Sequence, residues 1–528
     1  MKKYTLFGKN IVFDDAAEHA YEVQADYEFA KLRIRDLFRK WYKEQSSIQN
    51  VLNHFHDFVN SGFYKILYSN IRLQEMHRKN TADAVFFHCR MEDFMRLPEH
   101  FLIGAATAAH QVEGNNIRSD LWAMEHMKHT SFLEPSLDAV DHYHRYEEDI
   151  KLLSDAGLNA YRFSIEWARI EPEEGVFDAG AVAHYHDVIT CCKKYGVEPF
   201  VTLHHFSSPK WLMTKGGWEA STTPADFARY VHYIMEELGS ELHYVCTINE
   251  ANMGIQVAAI AERYKRQMMA QMQAAQTAPR SGDSADGTVQ VGINLEKMME
   301  NQKATALENM EVFGVEKVEN FTSMRTREGD LLIMKAHELA RKEIKALYPD
   351  IQVGLTLSLH DIQPQAGGEA RAASEWDEEF LHYLPYIKED DFLGVQNYTR
   401  SLIGPDGQLP NPEGAELTQM NYEFYPEALE HVLRRVAEDF HGDLYVTENG
   451  IATSDDTRRV AFIDAALNGV AACIRDGLPV KSYFHWSLLD NFEWQKGYSM
   501  TFGLIAVDRS TQTRHPKESL RFLGSWNR

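Results

Sequence analysis

The feature that most constrains this chain is an alternation that begins near Leu97-Pro98 and runs to its end. Short apolar runs, rich in β-branched and aromatic residues, take turns with longer amphipathic stretches. The runs are Phe101–Ala106, Ala160–Ile165, Glu198–Thr202, Tyr244–Asn249, Gln352–Leu357, Phe392–Asn397, Leu444–Thr447 and Lys481–Trp486. Apolar runs of this length read as strands buried on both faces. Between them, Val140–Asp155, Ala181–Tyr195, Leu331–Leu347, Ala428–Phe440 and Val460–Asp476 carry apolar residues at helical spacing. Gly157, Gly196 and Gly477-Leu478-Pro479 mark ends of such stretches. Eight strands alternating with helices predict an α/β fold, a (β/α)8 TIM barrel spanning residues 98–528. A doubly wound open sheet is the rival, but no Gly-rich phosphate loop follows any run.

Residues 1–97 have a different texture. They carry 15 Lys/Arg against 13 Asp/Glu, so the acidic excess behind the net charge of −24 lies beyond them. Ile34, Leu37, Phe38, Trp41 and Tyr42, then Val51, Leu52, Phe55, Phe58 and Val59, recur at helical steps. This predicts an N-terminal helical module that docks on the barrel or makes a homo-oligomer. Within the barrel, Ala261–Glu328 and Pro364–Ala373 read as long loops on the face where barrels of this kind work. The strong negative charge argues against nucleic acid or an anionic membrane as partner. Five cysteines, an odd number set mostly in apolar runs, and no apolar core in the first ten residues point to a cytoplasmic protein.

The runs stop on polar residues, and this is where the chemistry lies. His204-His205-Phe206 closes the third, Asn249-Glu250 the fourth, Gln396-Asn397-Tyr398 the sixth and Glu448-Asn449 the seventh. Trp486-Ser487 closes the eighth, Asn491-Phe492-Glu493-Trp494 follows it, and Arg162 lies within the second. Paired donors and acceptors interleaved with aromatic rings suit a sugar, whose hydroxyls need hydrogen bonds and whose C–H face packs on an indole. Glu250 and Glu448, both at strand ends, supply two carboxylates for one cleft. Glycoside hydrolysis needs that pair: one acid protonated to give its proton to the leaving oxygen, one ionised to attack or to activate water. No His/Cys cluster has metal spacing and no Gly-x-Ser-x-Gly elbow occurs, so no metal or organic cofactor is expected.

Five motifs in order resemble glycoside hydrolase family 1, the retaining enzymes of β-glucosidase type. They are Phe101-Leu102-Ile103-Gly104 through Gly114, Tyr161-Arg162-Phe163-Ser164 through Pro172, Thr247-Ile248-Asn249-Glu250, Val446-Thr447-Glu448-Asn449-Gly450 and Trp486-Ser487 through Trp494. The resemblance implies Glu250 as acid/base and Glu448 as nucleophile, with Arg162 and Tyr398 beside Glu448. It implies Asn249 on the sugar 2-hydroxyl, Gln111, His205, Glu493 and Trp494 around the glycone, and Trp486 beneath it. Relatives that cleave 6-phosphorylated sugars carry a Ser and a Lys near Glu493, and a carboxylate there would repel phosphate. The implied function is a retaining exo-β-glycosidase, a β-glucosidase above all, acting on a small β-glycoside or short oligosaccharide. The sequence departs from the family pattern at Phe206, Ala251, Gln396-Asn397 and Thr501, none of them a catalytic group. Two rivals stand beside this reading: a 6-phospho-β-glycosidase, and a catalytically silent carbohydrate-binding protein on the same barrel.

Overall fold

The computed structural model describes residues 2–6, 9–13, 97–274 and 302–527. The chain divides into two compact units, Met1–Met95 and Arg96–Arg528. In the first, Lys2–Leu6 pairs antiparallel with Lys9–Phe13, so a hairpin stands where the sequence suggested helix. Tyr4, Thr5, Ile11, Val12 and Phe13 are β-branched or aromatic, and strand propensity decides so short a segment. The helical periodicities at 34–42 and 51–59 lie outside the described residues.

The second unit is a closed eight-stranded parallel barrel. Its strands are β1 Leu102–Ala106, β2 Ala160–Ser164, β3 Glu198–Thr202, β4 Tyr244–Cys246, β5 Gln352–Ser358, β6 Phe392–Gln396, β7 Asp443–Asn449 and β8 Val480–Trp486. They follow one another round the barrel in chain order. The principal outer helices are α1 His142–Asp155, α2 Ala179–Lys194, α3 Thr223–Leu238, α4 Arg327–Leu347, α5 Glu369–Glu379, α6 Ala428–Val436, α7 Asp456–Arg475 and α8 Glu518–Ser525. Local chemistry fixes their ends. Asp178 caps α2 by accepting from the Gly180 and Ala181 amides, and Asp455 caps α7 through the Thr457 amide. Gly157 and Gly196, just past α1 and α2, take φ of +102° and +69°, a conformation that L side chains adopt at a cost. α3 turns Phe227, Tyr230, Val231, Ile234 and Leu238 inward at three- and four-residue steps.

Strand alternation makes the floor of the site. In β2, Tyr161 and Phe163 join the helix-facing core, whereas Ala160 joins the barrel interior. That interior is filled by Phe200, Phe392, Tyr445 and Phe484, whose ring centroids lie 4.7–5.6 Å apart in successive contacts. The close packing leaves no room for a side chain at 104: a Cβ on Gly104 would stand 2.1 Å from the Ala160 carbonyl and 3.0 Å from the Phe484 ring. Arg162, two residues beyond Ala160, is fully buried above this layer.

Two expected loops prove more regular than the sequence suggested. Met253–Ala274 and Gln302–Phe313 are helical, as Ala-, Met-, Gln- and Glu-rich stretches favour. Pro364 ends a strand, Asp361–Pro364, and Glu369 opens α5. That strand pairs parallel with Arg400–Gly404, which pairs antiparallel with Gly407–Gln408. The small sheet continues from the ends of β5 and β6. Among the described residues no helix is long and apolar enough to cross a membrane.

Candidate active site

The carboxyl ends of the strands surround a cleft of about 710 Å³, its open mouth included. His205, Asn249, Glu250, Tyr398, Glu448, Trp486, Glu493 and Trp494 all line it. Eight of the ten residues singled out in the sequence thus meet in one place. The other two, Arg162 and Gln111, are fully buried and reach the cleft through its lining.

Each carboxylate is delivered by irregular backbone. β7 keeps register with β6 to Val446↔Val395, then slips so that Glu448 opposes Gln396. Such a bulge re-aims the next side chain. β4 ends at Cys246, and Glu250 takes φ of +43°, in the left-handed region that few non-glycine residues adopt. Its amide donates to Thr356 Oγ1 at 2.8 Å, so β5 braces the turn.

The surroundings of the two acids differ. Glu448 receives Arg162 Nη1 at 2.5 Å on one oxygen and the Tyr398 hydroxyl at 2.6 Å on the other. Burial raises its pKa, and Arg162 and Tyr398 work against that rise. Glu250 has no such cation in contact. Burial first, then the Glu448 charge and more weakly Glu493, hold it well above the usual carboxyl range against the pull of the Arg162 charge. When the pair shares one proton, these partners place it on Glu250. Glu493, buried and repelled by Glu448, is pushed up to about 8, although Gln111 Nε2 lies 3.3 Å from its Oε2.

The neutral groups are oriented with equal economy. Asn249 Oδ1 accepts from Arg162 Nη2 at 2.6 Å, Gln396 Nε2 at 2.8 Å and Thr356 Oγ1 at 3.3 Å. Arg can only donate, so the amide oxygen must point at it and Nδ2 is turned to the cleft. That Nδ2, His205 Nδ1, Gln111 Oε1 and Tyr422 Oη are buried without a protein hydrogen-bond partner. His205 stacks on Trp486 at 5.6 Å, and burial with Arg162 nearby keeps its imidazole neutral. Donors and acceptors set among flat rings match a polyhydroxylated ring.

Thr356, Tyr422 and His360 were not singled out in the sequence. His360 could have been: it follows the fifth strand as His205 follows the third. Tyr422 stands in an irregular segment and no pattern marks it. Among the described residues no cluster of His, Cys, Asp or Glu could hold a metal ion, and Cys191, Cys192, Cys246 and Cys473 are free and buried.

The Arg162–Glu448 pair is also a stability element. Arg162→Met is expected to destabilise the fold by about 3–5 kcal/mol at neutral pH, the cost of leaving one member of a buried pair uncompensated. Without the guanidinium, the folded-state pKa of Glu448 rises further above its unfolded value. The penalty is then largest at high pH and fades as pH falls and Glu448 takes up a proton. Denaturant midpoints measured at pH 8 and pH 5 check this; an equal shift at both would contradict it.

Two acids at strand ends of a (β/α)8 barrel, beneath a lining suited to hydroxyls, define a glycoside hydrolase. The sequence profile of glycosyl hydrolase family 1 matches residues 94–285 and 388–528, and the chain belongs to that family. It is 30% identical over 489 residues to β-glucosidase A of Thermotoga maritima, covering 80% of this chain and 96% of that protein. It is 31% identical over 488 residues to a 6-phospho-β-galactosidase of Lacticaseibacillus casei, covering 81% and 98%. The crystal structure of β-glycosidase BGL167 superposes with a TM-score of 0.71 at 44% identity, over 82% of this chain and 97% of that one. The protein is a β-glycosidase of this family.

Proposed function

We propose that the protein is a retaining exo-β-glycosidase that releases a terminal, unphosphorylated β-D-glucosyl residue. The observation that carries this is the inequality of the two acids: Glu448 is held by Arg162 and Tyr398, whereas Glu250 has a strongly raised pKa. Glu448 attacks the anomeric carbon as Glu250 gives its proton to the departing oxygen, and the carbon–oxygen bond breaks. Glu250, now a carboxylate, takes a proton from water. The water oxygen bonds to the anomeric carbon and the Glu448 ester is released. Asn249 Nδ2 serves the 2-hydroxyl beside the reacting carbon. His205, Glu493 and Trp494 hold the rest of the sugar above Trp486, with Gln111 steadying Glu493.

The relatives include enzymes named for phosphorylated and for plain sugars, so the 6-position has to be argued from this chain. A phosphate there would meet Glu493, which already responds to the charge of Glu448. Above about pH 8, where Glu493 is ionised, like charges brought together in this buried site cost several kcal/mol, about 100-fold or more in rate. Initial rates at that pH on p-nitrophenyl β-D-glucopyranoside and its 6-phosphate are therefore expected to favour the plain glucoside by at least about that factor. A preference for the phosphate would overturn the reading. Proton NMR at early times is expected to show β-glucose first, with the α-anomer appearing only by mutarotation. The α-anomer first would overturn retention.

A further inference from the structure

The wall of the cleft near β5 carries a histidine that the two carboxylates do not use. His360 lies two residues beyond β5, half-buried, and lines the cleft beside Leu359 and Met253. Its Nδ1 stands 2.9 Å from Glu379 Oε1, and its backbone N–H donates to Glu379 Oε2 at 3.0 Å. One carboxylate thus fixes both the position and the ring orientation of this residue. With Nδ1 committed to Glu379, Nε2 is the ring nitrogen left for a ligand, and no described residue bonds to it.

The pair is tied to the acid end of β4. Asn252, two residues after Glu250, donates through Nδ2 to the carbonyls of Ser358 at 2.7 Å and Glu379 at 3.0 Å. Its Oδ1 accepts the Ser358 amide at 3.0 Å, and Gln256 one turn on donates to the same Ser358 carbonyl at 2.8 Å. His360 is therefore held in a fixed relation to the residue that meets the leaving oxygen.

Barrel order says which end of the substrate His360 meets. Because the strands close in chain order, β4 and β5 stand across the barrel from β8 and β1. Glu493 and Trp494 follow β8, and Gln111 follows β1. A sugar held at that edge, with its scissile oxygen at Glu250, sends its leaving group toward the β4–β5 wall.

Resting on the glycosidase reading above, we propose that His360, oriented by Glu379, is a leaving-group specificity residue. Its Nε2 edge hydrogen-bonds a hydroxyl of the aglycone and so selects a hydroxylated leaving group, such as a second sugar, over a purely apolar one. A hydroxyl both donates and accepts, so it suits this edge whether the imidazole is neutral or charged. Burial works against the charged form, but Glu379 outweighs it and raises the pKa above that of an ordinary histidine. Loss of such a bond to a partly charged donor is felt mainly by the substrate that makes it.

Three β-D-glucosyl substrates with one glycone separate the outcomes: cellobiose, phenyl β-D-glucoside and β-D-glucosyl fluoride. The fluoride has no aglycone to reach His360. His360→Phe is expected to lower kcat/KM for cellobiose about ten- to hundredfold and to leave the other two within about twofold. His360→Gln, which restores a donor and an acceptor, is expected to recover much of the cellobiose activity. An equal fall on all three substrates would make His360 a structural brace and overturn the proposal, as would no change on cellobiose. If the native enzyme cleaves none of the three, the β-glucosyl specificity proposed above has failed and the proposal falls with it.

Discussion

Glu448→Ala is expected to lose hydrolysis by about 10⁶-fold in kcat, the scale on which enzymes lose activity when a catalytic nucleophile is removed. The physical reason is that nothing else in the cleft can replace it. Tyr398 and Arg162 are donors aimed at Glu448, and Glu250 stands at a different strand end with its proton held on. The truncation also leaves Arg162 buried without its carboxylate, with Asn249 and the Thr447 carbonyl among its remaining acceptors. Some loss of stability accompanies it. Glu448→Gln, which keeps the shape and an oxygen toward Arg162, separates the two effects: it should fold like the native protein and be as inactive. Azide gives a sharper check. In Glu448→Ala the small anion fits the space left by the carboxylate and attacks from the same face, so an activated β-glucoside should yield the α-glucosyl azide. Hydrolysis at the native rate in either variant would sink the assignment of Glu448.

What could be read in the sequence follows from how local the cause is. Buried strands advertise themselves, and Ala160–Ser164, Glu198–Thr202 and Phe392–Gln396 fall where the apolar runs place them. The polar residues at strand ends were legible because a parallel barrel has one place for them. The meeting of His205, Asn249, Tyr398, Glu448, Trp486 and Glu493 in one cleft follows from that rule and the five ordered motifs. The irregular backbone was not legible. Whether β7 slips at Glu448 depends on the registers of β6 and β8, and the turn at Glu250 depends on Thr356 more than a hundred residues away. Tyr422 is placed by long-range packing of a segment with no periodicity, whereas His360 stood at a strand end where the same rule could have found it. At Lys2–Phe13 the helical reading lost to β-branched and aromatic residues that pair as strands.

The second large effect concerns the proton of Glu250 and depends on the leaving group. A positioned general acid contributes about 10²–10⁴-fold, and a leaving group of low pKa hardly needs it. Glu250→Ala should therefore cost about that factor for alkyl and sugar aglycones and far less for dinitrophenyl β-glucoside. The pH profile supplies the test of cause. Glu250 is held above the normal carboxyl range by burial and by the negative charge of Glu448. Its protonated fraction falls as pH rises through that raised value, so with Glu250 as the proposed acid it is expected to set the basic limb of kcat/KM in the native enzyme, and the limb should vanish for the activated substrate in Glu250→Ala. In the proposed retaining mechanism Glu448 is esterified by the sugar, so its charge is gone and one cause of the elevation goes with it. The pKa of Glu250 must then drop, which makes it the carboxylate base that the water step needs. Trapping the intermediate with a 2-deoxy-2-fluoro glucoside and following the ¹³C carboxyl shift of Glu250 against pH measures this directly. A Glu250 pKa that stays where it was, or climbs, on trapping would mean that the acid and the base are different groups.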